Sequence, residues 1–308
     1  MTSWRPDAKL TDLRQRAEVN KLIRSWFDER GVLEVETPIL GDAGITDPQI
    51  HSFKLQSWYL QTSPEYFMKR LLADGSGDIY QLAKVFRAAE SGWRHHHEFT
   101  LLEWYRLGID ERALAQEVVD LIQHLAGTKN LKPVITTYAD CLATLGLDLF
   151  SAHGRNYRNA LERAEIELVG EFSRTALREL VFTELVQKQF ADDHITVVHD
   201  YPAEDASLAR LSQRDPRVAA RFEVFWGGLE LANGFHELTD VAEQRSRFMQ
   251  DNQQRRADGL EEVEVDENLL AALAAGLPDC AGVALGFDRL LMKILDTDDI
   301  REVISFRG

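Results

Sequence analysis

Phe222-Glu223-Val224-Phe225-Trp226-Gly227-Gly228-Leu229-Glu230-Leu231-Ala232 is the most legible stretch of this 308-residue chain. Two apolar and aromatic runs flank a two-glycine turn, the pattern of a tight antiparallel hairpin. With Gly227 and Gly228 as the turn, Trp226 pairs with Leu229 and Phe225 with Glu230. Alternation then puts Glu223, Phe225, Glu230 and Ala232 on one face. Two carboxylates held as diagonal neighbours repel, and a shared Mg2+ would relieve them; the alternative is a solvated face. Asn233-Gly234-Phe235-His236-Glu237 follows directly. Strict alternation carries Glu237 to the face opposite Glu230, so a common site for both requires a bulge, with Gly234 as the residue that permits it.

Outward from the hairpin, strands alternate with helical segments. Thr11 to Arg30 has amphipathic helical spacing, with Thr11 or Asp12 as cap and Gly31 as stop, and a strand over 32–36 ends at Thr37-Pro38. A helix is expected over 65–72, strands near 78–87 and 99–106, and mainly helices from 110 to 190 with loops at Gly127, Gly146 and Gly154. Ile195–Val198 reads as a short strand ending before Tyr201, 266–276 as a helix, and Val283–Leu285 as a strand before a final helix from Asp288. No repeat or linker interrupts the chain, so an antiparallel α+β sheet in one domain is expected.

Composition narrows the function classes. Lys+Arg 35 against Asp+Glu 51 gives a net charge of −16, which repels polyphosphate backbones and favours a protein or small-molecule partner over nucleic acid. No apolar run approaches the length of a bilayer span, and the first residues lack the apolar core of a signal peptide. Cys141 and Cys280 form no disulfide or zinc pattern, which points to a reduced compartment, with the cytoplasm as default.

Several side chains could carry chemistry. Glu103 and Tyr105 share a strand face with Leu101, and a carboxylate beside a phenol suits an ammonium group; an edge strand facing water is the competing reading. Arg87, at a strand end, could grip a phosphate bidentately or simply pair with an acid. His95-His96-His97 lacks metal-ligand spacing and reads as a polar loop facing nucleotide or solvent. In Gly282-Val283-Ala284-Leu285-Gly286-Phe287-Asp288-Arg289, glycines four apart allow close backbone approach, and Arg289 opens the following helix as a fixed cation.

Together these segments resemble the three class II aminoacyl-tRNA synthetase motifs, in order. Residues 31–38 resemble motif 1, Val85-Phe86-Arg87 through Glu98-Phe99-Thr100-Leu101-Leu102-Glu103 motif 2, and Gly286-Phe287-Asp288-Arg289 motif 3. Thr62-Ser63-Pro64-Glu65, Arg221-Phe222-Glu223 and 230–240 are similar to lysyl-tRNA synthetase. The motif 1 helix begins near residue 11, leaving no room for an anticodon-binding domain. A lone, acidic catalytic domain over 1–308 resembles the elongation factor P lysine ligase family, which the stretches 62–72, 100–106 and Pro278-Asp279-Cys280 fit closely, as does Ala284.

That resemblance implies an α+β fold of class II synthetase type, an antiparallel sheet flanked by helices. It implies a ligase that uses ATP and Mg2+ to activate lysine, above all (R)-β-lysine, as an adenylate and transfers it to a lysine of elongation factor P. It also implies a cytoplasmic homodimer, with tRNA disfavoured. By the same resemblance Arg87 contacts the α-phosphate and Arg289 the triphosphate, while Glu90, His96, Glu230, Leu231 and Gly286 complete the ATP site. Glu223 and Glu230 match the metal acids. Ser63, Pro64, Glu65, Glu103, Tyr105, Asn233, Phe235, Glu237 and Ala284 match the substrate pocket, with Glu237 as partner of the ε-ammonium. The motif 2 loop departs from the family pattern at Ala88, Ala89, Trp93, His96 and His97, with Arg94 or His96 as candidate substitutes. Two alternatives accompany this reading: a lysyl-adenylate former with a tRNA or small-molecule acceptor, and a catalytically silent paralogue.

Overall fold

A computed structural model describes residues 4–89, 92–127 and 129–307. Among them, helix α1 (Leu10–Asp28) buries Val19, Ile23, Trp26 and Phe27, and Gly31 at φ +66° ends the turn that follows. Lys9, not Thr11 or Asp12, occupies the cap position, and no side chain caps it. Short strands β1 (Leu33–Glu34), β2 (Leu40–Gly41), β3 (Lys54–Leu55) and β4 (Trp58–Leu60) precede helix α2 (Glu65–Ala73). Strands β5 (Ile79–Phe86) and β6 (Glu98–Leu107) flank the motif 2 loop, and α3 (Glu111–Ala126) follows.

The region read as mainly helical contains a strand, β7 (Lys132–Thr137), before α4 (Tyr138–Ala143), α5 (Gly154–Arg163) and α6 (Arg174–Val181). Gly154 begins a helix and does not mark a loop. Strand β8 (His194–Pro202) runs through Tyr201, past a register shift beside Asp200 at φ +57°. Strands β9 (Val218–Trp226) and β10 (Leu229–His236), helices α7 (Val241–Ala257) and α8 (Glu267–Gly276), strand β11 (Cys280–Gly286) and helix α9 (Phe287–Leu295) complete the order.

Eight strands form one sheet in the order β1-β5-β6-β11-β10-β9-β8-β7, while β2-β4-β3 form a small separate sheet. The six inner strands are antiparallel neighbours as expected, but β1 lies parallel to β5 and β7 parallel to β8. One face of the large sheet packs on α1, α3 and α9 through Tyr80, Leu102, Trp104, Phe222, Val224, Val283 and Leu285, with Trp104 wholly buried. Burying this continuous apolar layer is the main stabilising term, at roughly 25 cal/mol per Å2. The other face packs Val198, Tyr201 and Phe225 on α4–α6 and Ile79 and Tyr105 on α2 and α8, and carries polar groups between these clusters.

The hairpin has the expected turn pairing, Trp226 with Leu229 and Phe225 with Glu230. Beyond it the register shifts between Glu230 and Ala232, so Leu231 is the extra residue of a bulge. Ala232 consequently pairs with Val224 and joins the apolar core, on the face away from Glu230. The bulge needed to bring Glu230 and Glu237 together thus sits at Leu231, not at Gly234. Gly234 is required for another reason: a Cβ there would stand 2.4 Å from the Phe222 ring.

Candidate active site

Register places the functional side chains in rows across the open face of the sheet. Gln81, Glu103, Ala284, Asn233 and Glu223 are successive pairing partners on β5, β6, β11, β10 and β9. Ile79, Tyr105, Gly282, Phe235 and Arg221 form the adjacent row. Directly paired residues point to one face, so two rows build the floor of a single site. Strand β6 is central, so Glu103 and Tyr105 are buried rather than facing water.

Above this floor lies a cleft of about 250 Å3. Ser63, Glu65, Arg87, His96, Glu103, Tyr105, Glu230, Leu231, Asn233, Phe235, Glu237, Ala284, Gly286 and Arg289 all border it. Pro64 does not; it is buried behind Glu65, and its carbonyl accepts from Phe67 and Met68 at the start of α2. Glu223 lies just outside the lining, and Glu90 falls outside the described residues. Leu231 contributes backbone only, because its side chain belongs to the apolar core.

The cleft is electrically divided. Arg87, Arg94, His95 and Arg289 border it at one end, with the Glu230 carboxylate 3.5 Å from Arg289. Arg87 Nε donates to the Thr62 carbonyl (3.3 Å) and its guanidinium lies 5.2 Å from the Phe99 ring centre. Arg289 donates to the Glu230 carbonyl at 3.2 Å and meets His95 Nε2 at 2.5 Å. His96 borders the cleft, but its ring nitrogens already face the carbonyls of Glu98 and Arg307 at 2.8 and 2.9 Å. The motif 2 histidine that reaches Arg289 is therefore His95. Trp93 lies against Arg301, and Arg94 pairs with Asp298, so this loop is tied to residues 298–307.

Glu65, Glu103 and Glu237 form the other end. Glu103 accepts from Ser63 Oγ (2.7 Å) and Tyr105 OH (2.8 Å). Burial pushes its pKa up to about 8, with Glu65 and Glu237 adding repulsion and the two hydroxyl donors opposing. Glu237 is also raised by burial, to about 7, with Lys69 opposing the shift. A Cβ on Gly282 would stand 2.3 Å from the Tyr105 ring and 2.4 Å from Glu237 Oε1, so only glycine leaves this floor open.

Glu223 is held by Tyr201 OH (2.7 Å) and Arg221 (2.6 Å). Burial lifts its pKa to about 7, Arg221 opposes, and the nearby Glu230 carboxylate raises it further. A second carboxylate close enough to raise Glu223 makes with it a hard-oxygen pair suited to a divalent cation. Sequence reasoning gave no role to Arg221, which spans Asn233 Oδ1 (3.2 Å) and Glu223 and lies 4.7 Å from the Tyr201 ring centre. Its alternation with Glu223 on β9 was the available signal. Lys69, also missed, sits on the buried face of α2 beside Met68.

A mainly antiparallel sheet flanked by helices, with a cleft on one face, is consistent with the catalytic fold of class II aminoacyl-tRNA synthetases. The sequence model described as tRNA synthetases class II (D, K and N) matches residues 2–307. The chain is 45% identical, over 99% of its length and 97% of the relative's, to the elongation factor P--(R)-beta-lysine ligase of Pectobacterium carotovorum subsp. carotovorum (strain PC1). Proteins of the same name from Salmonella typhi and Haemophilus influenzae (strain PittGG) are each 44% identical over 99% of this chain, and 97% and 98% of their own lengths. The chain belongs to the class II synthetase family and, within it, to the elongation factor P (R)-β-lysine ligases.

Proposed function

We propose that this protein is an ATP-dependent ligase that activates (R)-β-lysine as an adenylate and transfers the β-lysyl group to a lysine side chain of elongation factor P. Full-length likeness to ligases of that name supports the partner and the amino acid. The observation that carries the chemistry is the division of one cleft into a cationic and an acidic end. A diamino acid carries two ammonium groups and one carboxylate, and the division suits both.

In the first step a carboxylate oxygen attacks the α-phosphorus in line, the bond from phosphorus to the bridging oxygen breaks, and pyrophosphate leaves. Arg87 and Arg289 hold the phosphates and neutralise developing charge, and Glu237 and Glu65 hold the ammonium groups. In the second step the acceptor amine, having lost a proton, attacks the carbonyl carbon; an amide forms and AMP leaves. Glu223 and Glu230 would hold Mg2+, which supplies charge neutralisation to the phosphates when bound. The acidic body steers a positively charged acceptor loop towards the cleft.

Residues 1–308 act in this reading as one catalytic domain, working in the cytoplasm as a homodimer. No helix among the described residues is long and apolar enough to cross a membrane. The deciding experiment is ATP–pyrophosphate exchange with α-lysine and both β-lysine enantiomers, followed by incubation of charged enzyme with elongation factor P and with tRNA. Exchange driven best by (R)-β-lysine and label on elongation factor P are expected. Label on tRNA alone would reject the acceptor, and silence with every isomer would reject the enzyme.

The raised carboxyl pKa values add a pH dependence. Glu237 binds a cation only when ionised, and Glu103 lends the same end negative charge only when ionised, so the KM for the amino acid is expected to fall as pH rises through 7 to 8. The limiting slope is about tenfold per pH unit for each group. Stability of the empty protein should run the other way. Both groups hold protons in the folded state above their ordinary value of 4.5, so their contribution declines as pH climbs from there through about 8. Initial rates and thermal melts across this range test both signs, and a flat KM would remove the ionised acids from the binding step.

A further inference from the structure

Lys69 is buried to 2% of its side-chain surface and lies at the base of the acidic end. Its Nζ sits 2.7 Å from Glu65 Oε1 and 2.6 Å from Glu237 Oε2, so one ammonium group ties together acids from α2 and from the end of β10. Each carboxylate uses one oxygen on Lys69 and keeps the other. For Glu237 the remaining oxygen, Oε1, is the one that hangs over Gly282 beside Tyr105, on the floor of the cleft. Glu65 and Glu237 thus share one internal cation, with Glu103 beside them, and two carboxylates on one ammonium leave negative charge for a ligand.

We propose that Lys69 is a positioning residue that sets the spacing between Glu65 and Glu237, and through it the spacing of the two ammonium groups the pocket accepts. The proposal rests on the diamino-acid reading above and adds the device that measures chain length. With both oxygens tied to one nitrogen, the two acids cannot separate to suit a longer substrate or close on a shorter one. Without Lys69 they repel one another and lose their common anchor. A purely structural lysine would affect ATP and amino acid alike. A spacer affects the amino acid alone, and affects homologues of different length unequally.

The test uses the whole protein and three variants, Lys69→Met, Lys69→Arg and Lys69→Ala. Binding of ornithine, α-lysine, (R)-β-lysine and homolysine is followed by calorimetry, and ATP–pyrophosphate exchange gives KM for ATP and for each amino acid. For Lys69→Met, a rise of at least tenfold in KM for the preferred amino acid is expected. KM for ATP should stay within twofold, and preference over the homologues should be lost. Lys69→Arg keeps a cation able to bridge two carboxylates but displaces it, so it should retain activity with an altered length preference. Lys69→Ala removes the atoms of propylamine, and added n-propylammonium should restore part of the selectivity. Unchanged selectivity in the methionine and arginine variants, with wild-type exchange intact, overturns the role of Lys69 alone. Selective binding by the wild type that is lost in Lys69→Met, without exchange in either, sinks the ligase reading and upholds the spacer. No binding of any diamino acid by the wild type overturns both.

Discussion

Replacing Arg87 with alanine is expected to lower lysine-dependent ATP–pyrophosphate exchange by about 10²–10³-fold, the usual consequence of removing one preorganised donor from developing negative charge. The same loss is expected for Arg289→Ala. Each guanidinium is held in place before any ligand arrives, Arg87 by the Thr62 carbonyl and the Phe99 ring, Arg289 by the Glu230 carbonyl and His95. Lysine should rescue neither, because an ammonium group cannot reproduce a planar, forked donor set. Exchange kinetics paired with thermal melting provide the measurement. A drop below tenfold with an unchanged melt would take the arginine in question out of the chemistry.

The second large effect falls on stability. Asp288, one residue before Arg289, has 2% of its side chain exposed and pairs with Arg16 at 2.5 Å. It also accepts from the backbone amide of Thr100 at 2.6 Å, while Arg16 reaches Thr100 Oγ1 at 2.8 Å. One ion pair therefore fastens α1, β6 and α9 beside the arginine-rich end of the cleft. Arg16→Met leaves a buried carboxylate without its counter-ion and should cost about 3–5 kcal/mol. Such a loss is a large share of the stability of an ordinary domain. Adding Asp288→Asn should recover most of it, since a neutral amide oxygen can still accept from Thr100. Denaturant unfolding of the two single variants and the double variant yields the coupling energy. A cost below 1 kcal/mol for Arg16→Met would show that the pair is not what joins these elements.

Local chemistry made much of the fold readable. The Gly227-Gly228 turn set the hairpin pairing, and period-two spacing put Glu103 and Tyr105 on a common face, where they line the cleft. The order of motifs indicated which residues to gather, and most of them do border one cavity. What remained hidden depends on tertiary contact. The bulge at Leu231 has no glycine to announce it, and it reverses the face of Ala232. Strand β7 lies within a stretch whose pattern is mainly helical, although Val134-Ile135-Thr136-Thr137 is a β-branched run; Pro133 is tolerated because the strand lies at the sheet edge. Lys69 carries no sequence mark that sets it apart from other helix lysines. Nothing in its neighbours along the chain reveals that it points inward at an acid from β10's far end.

The two ends of the cleft also separate admission from commitment. On the proposed roles, an acidic end set to one spacing admits any organic dication whose two ammonium groups match that spacing, whether or not it can react. If the carboxylate reacts beside Arg87 as proposed, only a guest that brings one can be consumed, and wrong diamines would occupy the enzyme without being used. Fidelity against them is then a matter of which guest reacts, and their cost to the cell is lost time rather than faulty product.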